Sequence, residues 1–204
     1  MSLIIQQFVK DPLKNNNYVV ADEASKEAVL IDCSCPDDEI INWLNKEGLT
    51  LKYILLTHGH FDHVSGVNYY KDKLGVEAYL YEKDSPLLPR FEEYAKWARR
   101  NVGDKPQHVE SFGLQKVFMV GQTPIEIIET PGHTQGGVCY LIDGNLFSGD
   151  TLFHGTCGRT DLLESDEAAM QKSLALLFKK LPDETPVYPG HGAVTTIGHE
   201  RWLY

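Results

Sequence analysis

Apolar positions recur along this chain in two rhythms, one of short alternating or continuous runs and one of helical spacing, and their order predicts a mixed α/β fold. Leu3 to Val9, Tyr18 to Ala21 and Ala28 to Ile31 read as strands, separated by polar turns such as Asn15-Asn16-Asn17. Pro36 to Lys46 changes rhythm, with acidic residues early, Ile40, Trp43 and Leu44 at helical spacing, and Gly48 as a stop. The apolar run Tyr53 to Leu56 follows, and a strand, helix, strand order implies parallel pairing through a right-handed crossover. Val64, Val67 and Leu74 share one face of a helix ended by Gly75, and Ala78 to Tyr81 reads as another strand.

Leu87 to Arg100 carries Phe91, Tyr94 and Trp97 three residues apart, a stripe expected in a core, with one aromatic able to face a cleft. Asn101 to Gly113 reads as a loop. In the second half Lys116 to Val120, Ile125 to Glu129, Val138 to Ile142 and Leu146 to Phe147 are short strands, the last two joined by the hairpin signal Asp143-Gly144. Met170, Leu174, Leu177, Phe178 and Leu181 mark an amphipathic helix, and Val187-Tyr188 a final strand. The pattern implies two αβ halves packed sheet to sheet with helices outside, and a site in the crevice where strands end.

Size and charge narrow the picture. The chain has 204 residues, 42% of them hydrophobic and 24% charged, which suits one domain over residues 1–204 with a full core of its own. Its formal net charge of −10 repels phosphate backbones and argues against nucleic acid as a partner. No apolar run approaches the roughly 18 residues that a membrane span needs. The four cysteines, Cys33, Cys35, Cys139 and Cys157, have no zinc-ribbon or disulfide-framework spacing, so a reducing cytoplasm is the expected home. Oligomeric state stays open, a homo-oligomer included.

The chemistry concentrates in Thr57-His58-Gly59-His60-Phe61-Asp62-His63, directly after a predicted strand. Extended chain puts His58 and His60 on one side, while Asp62 and His63, entering a helix, swing to a neighbouring position. One loop can thus serve two adjacent metals. Packed against a core strand without a cation, the same run would leave several polar groups desolvated and unpaired. Three further turns, Thr130-Pro131-Gly132-His133-Thr134, Ser148-Gly149-Asp150-Thr151 and Tyr188-Pro189-Gly190-His191-Gly192, each set one metal-binding side chain beside glycine at a strand end.

Together these residues resemble the metallo-β-lactamase superfamily over essentially the whole chain. The resemblance implies an αββα sandwich, with His58, His60 and His133 on a first metal, Asp62, His63 and His191 on a second, and Asp150 bridging them. Asp62 and Asp150 would stand at the catalytic centre, and Asp32 matches a family aspartate that orients a ligand histidine. Seven protein ligands for two divalent ions leave open positions, the mark of a catalytic rather than a closed structural site. The resemblance implies zinc, with iron or manganese suited to the same ligands. Aspartate at 150, where antibiotic-hydrolysing members commonly carry cysteine, argues against that activity.

Gly149-Asp150-Thr151-Leu152-Phe153, Gly158-Arg159-Thr160-Asp161-Leu162 and the run Tyr188 to Gly192 followed by Thr195-Thr196-Ile197-Gly198 resemble small glyoxalase II-like hydrolases. That implies a small-molecule thioester substrate, an S-2-hydroxyacylglutathione conjugate, whose thiolate, of pKa about 8.5, leaves without a strong general acid. Glyoxalase II itself has a long helical region that binds glutathione, whereas thirteen residues follow His191 here, which weakens that part of the likeness. Cys157, Arg159 and His154 are candidates for the cleft, with a loop held by an internal Arg159–Asp161 pair and a surface place for His154 as the competing readings. Two other functions remain: a persulfide dioxygenase with one iron on His58, His133 and Asp150, against which Gly190 speaks, and a non-catalytic zinc-stabilised binding module.

Overall fold

The computed structural model describes residues 2–11, 13–97 and 104–204, apart from the side chain of Trp97. The predicted helical stretch therefore falls partly outside the described residues, at 98–100 and the Trp97 ring, as does the start of the predicted loop at 101–103.

Two six-stranded mixed sheets face each other. The first takes β1 (Leu3–Lys10), β2 (Asn15–Asp22), β3 (Glu27–Ile31), β4 (Thr50–Leu56), β5 (Glu77–Tyr81) and β6 (Val109–Phe112) in chain order. β1, β2 and β3 pair antiparallel, and β3 to β6 pair parallel. Helix α1 (Asp38–Glu47) makes the expected crossover from β3 to β4, its start capped by the Asp37 side chain on Glu39 N and its end by Gly48 at φ 66°. After β4 come the short α2 (Phe61–Val64), α3 (Val67–Leu74), β5, a 3₁₀ segment over Glu82–Arg90 and α4 (Phe91–Trp97).

The second sheet runs β14, β13, β10, β9, β8, β7, from β7 (Phe118–Val120), β8 (Thr123–Glu129), β9 (Val138–Ile142), β10 (Asn145–Gly149), β13 (Pro186–Pro189) and β14 (Thr195–Thr196). Asp143 and Gly144 turn β9 into β10 with φ of 47° and 76°, as a two-residue hairpin of the primed kind requires. β11 (Leu152–Phe153) and β12 (Thr156–Cys157) form a small separate hairpin. Helix α5 (Glu167–Lys180) then returns the chain to β13, parallel to β10, and α6 (Ile197–Arg201) follows β14.

Side-chain alternation explains the layers. In β2 Tyr18 and Val20 enter the core between the sheets while Val19 and Ala21 face α1 and α3; in β9 Val138, Tyr140 and Ile142 meet the first sheet while Cys139 packs towards α5. The result is the αββα order of layers. Among the described residues no helix is long and apolar enough to cross a membrane.

Two local expectations need correction, and a third holds. Asn15-Asn16-Asn17 is not a turn: it lies inside β2 and is at most 1% exposed, because each amide finds a distant partner that substitutes for water. The expected loop ending at Gly113 contains β6, an edge strand too short to leave an apolar rhythm. The aromatic stripe stands where it was expected: residues 82–90, with Pro86 and Pro89, are 3₁₀, α4 starts at Phe91, and Phe91 and Tyr94 are buried as anticipated.

Candidate metal centre

Strand β4 ends in buried sequence, the chain bends at Thr57 and His58, and α2 begins after His60, which is extended at φ −69° and ψ 147°. The bend and the helix start set the His58 ring beside both His60 and His63, at centroid distances of 4.8 and 4.1 Å. The second sheet meets them with three turns: His133 after β8, Asp150 after β10, and His191 after β13. His60 Nδ1 is 2.9 Å from His133 Nε2, and Asp150 reaches His63 Nε2 at 3.4 Å through Oδ1 and His133 Nε2 at 3.5 Å through Oδ2. His191 Nε2 lies 3.5 Å from Asp62 Oδ2 and 3.6 Å from Asp150 Oδ2. Three groupings bring three donor atoms within 4.8 Å of one another: His58, His60 and His133; His58, His63 and Asp150; and Asp62, His63 and His191.

The outward nitrogen of every ring is tied down. His58 Nδ1 meets Thr57 Oγ1 at 3.1 Å, His63 Nδ1 meets Asp32 Oδ2 at 2.8 Å, His133 Nδ1 meets Arg159 O at 2.9 Å, and His191 Nδ1 meets Leu13 O at 3.2 Å. Such partners fix ring direction and leave the inward nitrogen as an electron-pair donor. Asp32, at φ 58°, also accepts from Thr57 N and Thr57 Oγ1, both at 2.8 Å, so one carboxylate holds the loop and a ring together.

Glycine lets the backbones come this close. A Cβ on Gly190 would stand 2.3 Å from Asp150 Oδ1 and 2.8 Å from His63 Cε1, and one on Gly158 would stand 1.8 Å from Asp150 O.

The electrostatics and the unsatisfied atoms both fit a cation. Burial, reinforced by His63, His60 and His133, pushes His58 well below the ordinary imidazole value, and its Nε2 is buried without a hydrogen-bond partner. Burial also lowers His133. His63 goes the other way, because Asp150, Asp32 and Asp62 outweigh its burial. Burial would raise the carboxyls of Asp62 and Asp150, yet the facing imidazoles, His63 first, hold both below the usual range, Asp150 at about 2. Asp150 Oδ1, 3.4 Å from His63 Nε2, and Asn15 Oδ1 are also buried here without a hydrogen bond. His58 and His133, held towards the neutral form, and the ionised carboxylates supply electron pairs of the kind a divalent ion takes, and the carboxylates that raise His63 are negative charge that a cation would neutralise.

The peripheral candidates divide. Arg159 reaches the cleft, whose wall also includes Leu13, Phe61, Tyr94 and Leu162, and it is paired with Asp161 through two bonds of 2.6 and 2.8 Å, as the loop reading expects. Cys157 packs beside the apolar core under α5. His154 is not brought to the cleft: the turn between β11 and β12 carries it outward, where it stacks on His199 at 4.9 Å.

A sequence profile described as the metallo-beta-lactamase superfamily matches residues 11–191. The chain belongs to that superfamily. Within it, a hydroxyacylglutathione hydrolase of Shewanella oneidensis is 36% identical over 182 residues, 87% of this chain and 62% of its own length. Among solved members, the BLEG-1 B3 metallo-beta-lactamase superposes with a TM-score of 0.88 at 33% identity, over 98% of this chain and 99% of that one. Another, solved in a di-iron-bound form, gives 0.86 at 33% identity over 96% of each chain.

Around its donor set this superfamily member uses residues that no local motif announces. Asn15 donates through Nδ2 to Asp62 Oδ2 at 3.0 Å. Asp84, fully buried, accepts from Gly59 N, Thr134 Oγ1 and Gly136 N at 2.8, 2.8 and 2.5 Å, and so ties the turn of His58 and His60 to the turn of His133. Glu164 meets His60 Nε2 at 2.7 Å. Each pairs across 25 or more positions of sequence, and Asp84 stands in the run Glu82-Lys83-Asp84-Ser85-Pro86, which carries no ligand spacing of its own.

Proposed function

We propose that this chain is a metal-dependent hydrolase of thioesters of the S-2-hydroxyacylglutathione type. His58, His60 and His133 would hold one divalent ion, Asp62, His63 and His191 a second, and Asp150 would lie between them; zinc is the first choice and iron the next. Bound there, such ions lower the pKa of water to about 7 and polarise an acyl oxygen. The protein's own residues supply the rest. Asp32 and Thr57 hold His63 and His58 in direction, Asn15 holds Asp62, and the carboxylates Asp62 and Asp150 are kept ionised at neutral pH. Leu13, Phe61 and Leu162 form an apolar wall suited to an acyl group beside a cleft of about 180 Å³, which Arg159 also lines.

The observation that carries this reading is the convergence of seven donor side chains in three overlapping groupings, among them His58 Nε2, which is buried without a hydrogen bond. The resemblance to a named hydroxyacylglutathione hydrolase supports the substrate class. The close approach of Asp62, His63 and His191 favours two ions over the single iron of the dioxygenase reading.

Elemental analysis combined with a substrate panel tests the proposal. About two metal equivalents and turnover of S-D-lactoylglutathione are expected, above turnover of a chromogenic β-lactam and without oxygen uptake on glutathione persulfide. Asp62→Ala and His60→Ala should each lower that turnover by more than about 100-fold while far-UV circular dichroism is unchanged. Near-normal turnover in either variant, or oxygen uptake with a single iron, would overturn it.

A further inference from the structure

Five imidazoles surround the centre, and four of them, His58, His63, His133 and His191, have their Nδ1 tied outward so that Nε2 faces in. His60 is turned the other way. Its Nδ1 faces His133 Nε2 and its Nε2 faces Glu164 Oε1. A half-turn of an imidazole about its Cβ–Cγ bond exchanges Nδ1 with the carbon Cδ2, so a His60 ring free to rotate would for part of the time offer carbon where a donor is needed.

Glu164 is well placed to prevent that. Its side chain is only 7% exposed, and its two oxygens are engaged in different directions: Oε1 with His60, and Oε2 with the Tyr94 hydroxyl, which donates to it. Arg90 Nη1 stands 3.6 Å from Oε2 and its guanidinium lies over the Tyr94 ring, 4.6 Å from the centroid. The backbone at this point is fastened to the turn that carries His133. Gln135 Nε2 donates to Glu164 O at 3.0 Å, Ser165 Oγ to His133 O at 2.7 Å, and Asp166 N to Gly132 O at 2.8 Å. Glu164 therefore rides with His133 on the second sheet and reaches across to His60 on the first.

We propose that Glu164 is a positioning residue for the first cation site: it fixes the direction and donor atom of His60 and sets that ring against His133. The inference rests on the two-cation reading of the cleft and adds to it a carboxylate that would not itself touch ion or substrate. Outer partners of ligand histidines typically account for about 10- to 100-fold in metal affinity.

The test uses the full chain loaded with Co²⁺ and titrated with a chelator, read by visible absorption, together with ¹⁵N NMR of the His60 ring. In Glu164→Ala, one of the two equivalents should be held about 10- to 100-fold more weakly, the other should keep wild-type affinity, and the His60 nitrogen shifts should show loss of the single ring form. Glu164→Gln, whose amide oxygen still accepts from Nε2–H, should recover most of that affinity and the wild-type ring form. Loss of both equivalents in parallel with a lower melting temperature of the stripped chain, uncorrected by glutamine, would assign Glu164 a merely structural part and overturn the proposal. Wild-type affinity in Glu164→Ala would overturn it too, leaving the two-cation reading in place; a wild-type chain that binds no Co²⁺ would remove both.

Discussion

A single carboxylate can be asked to do two things, and Asp32 does both: it accepts from the Thr57 amide and hydroxyl, and from His63. Asparagine adopts the same left-handed backbone and can still accept from Thr57, but its amide opposes the ring N–H of His63. Asp32→Asn should therefore keep its melting temperature within a few degrees and weaken metal binding by about 10- to 100-fold, measured by chelator competition. An unchanged affinity would show that the His63 contact does not orient the ring. Gly190→Ala carries the opposite kind of fault, a methyl 2.3 Å from Asp150 Oδ1. Metal content of the purified variant should fall below half of the wild type, and full occupancy would show that the turn gives way at no cost. At this scale the donors themselves were legible, since His58 to His63 are contiguous and the others each sit beside a glycine at a strand end. Asn15, Asp84 and Glu164 were not, because one polar residue whose partner is dozens of positions away leaves no local pattern.

Elements were legible in proportion to their apolar rhythm. The longer strands of both sheets and helices α1 and α5 are long enough to show a period, whereas β6, β11, β12, β14 and α6 span two to five residues and are held by neighbours rather than by their own sequence. The asparagine run failed for another reason: its turn preference is real, but hydrogen bonds to Asp62, Pro189 O, Gly192 O and Ser34 override it inside β2. Helix α1 gives the clearest energetic test. Asp37 caps it and also pairs with Lys10, itself 5% exposed. Asp37→Ala removes cap and pair and should cost about 1–2 kcal/mol in urea unfolding at pH 7, while Asp37→Asn keeps a good cap and loses only the charge. Burial raises the Asp37 carboxyl, but Lys10 outweighs it and the folded value lies below 3.8. The stability it contributes is thus complete above about pH 4 and lost as pH falls through the lowered folded value. The gap between wild type and Asp37→Asn should accordingly shrink on acidification; a gap that widens would refute the pairing.

Across the whole molecule, two sheets are joined by an apolar interior and by a polar seam along one edge of it. Tyr140 Oη donates to Leu56 O and Val138 N to Thr57 O, at 2.8 and 2.9 Å, and Asn16 sends its amide to Pro189 O and Gly192 O at 2.8 and 2.9 Å. Asn16→Ala leaves Gly192 O without this donor and Pro189 O with the Tyr18 hydroxyl alone, and a loss of about 1–3 kcal/mol is expected from denaturant unfolding. A change below about 0.5 kcal/mol would mean that water replaces the amide freely.

Each of the three donor groupings takes two members from β4 and the loop and helix that follow it, and the third from a turn of the opposite sheet. Neither half of the sandwich can chelate alone. Ion affinity then becomes a gauge of docking: any lesion that parts the layers by a fraction of an ångström, however remote, should loosen the ions before the strands themselves melt, and ions supplied in excess should draw the halves shut.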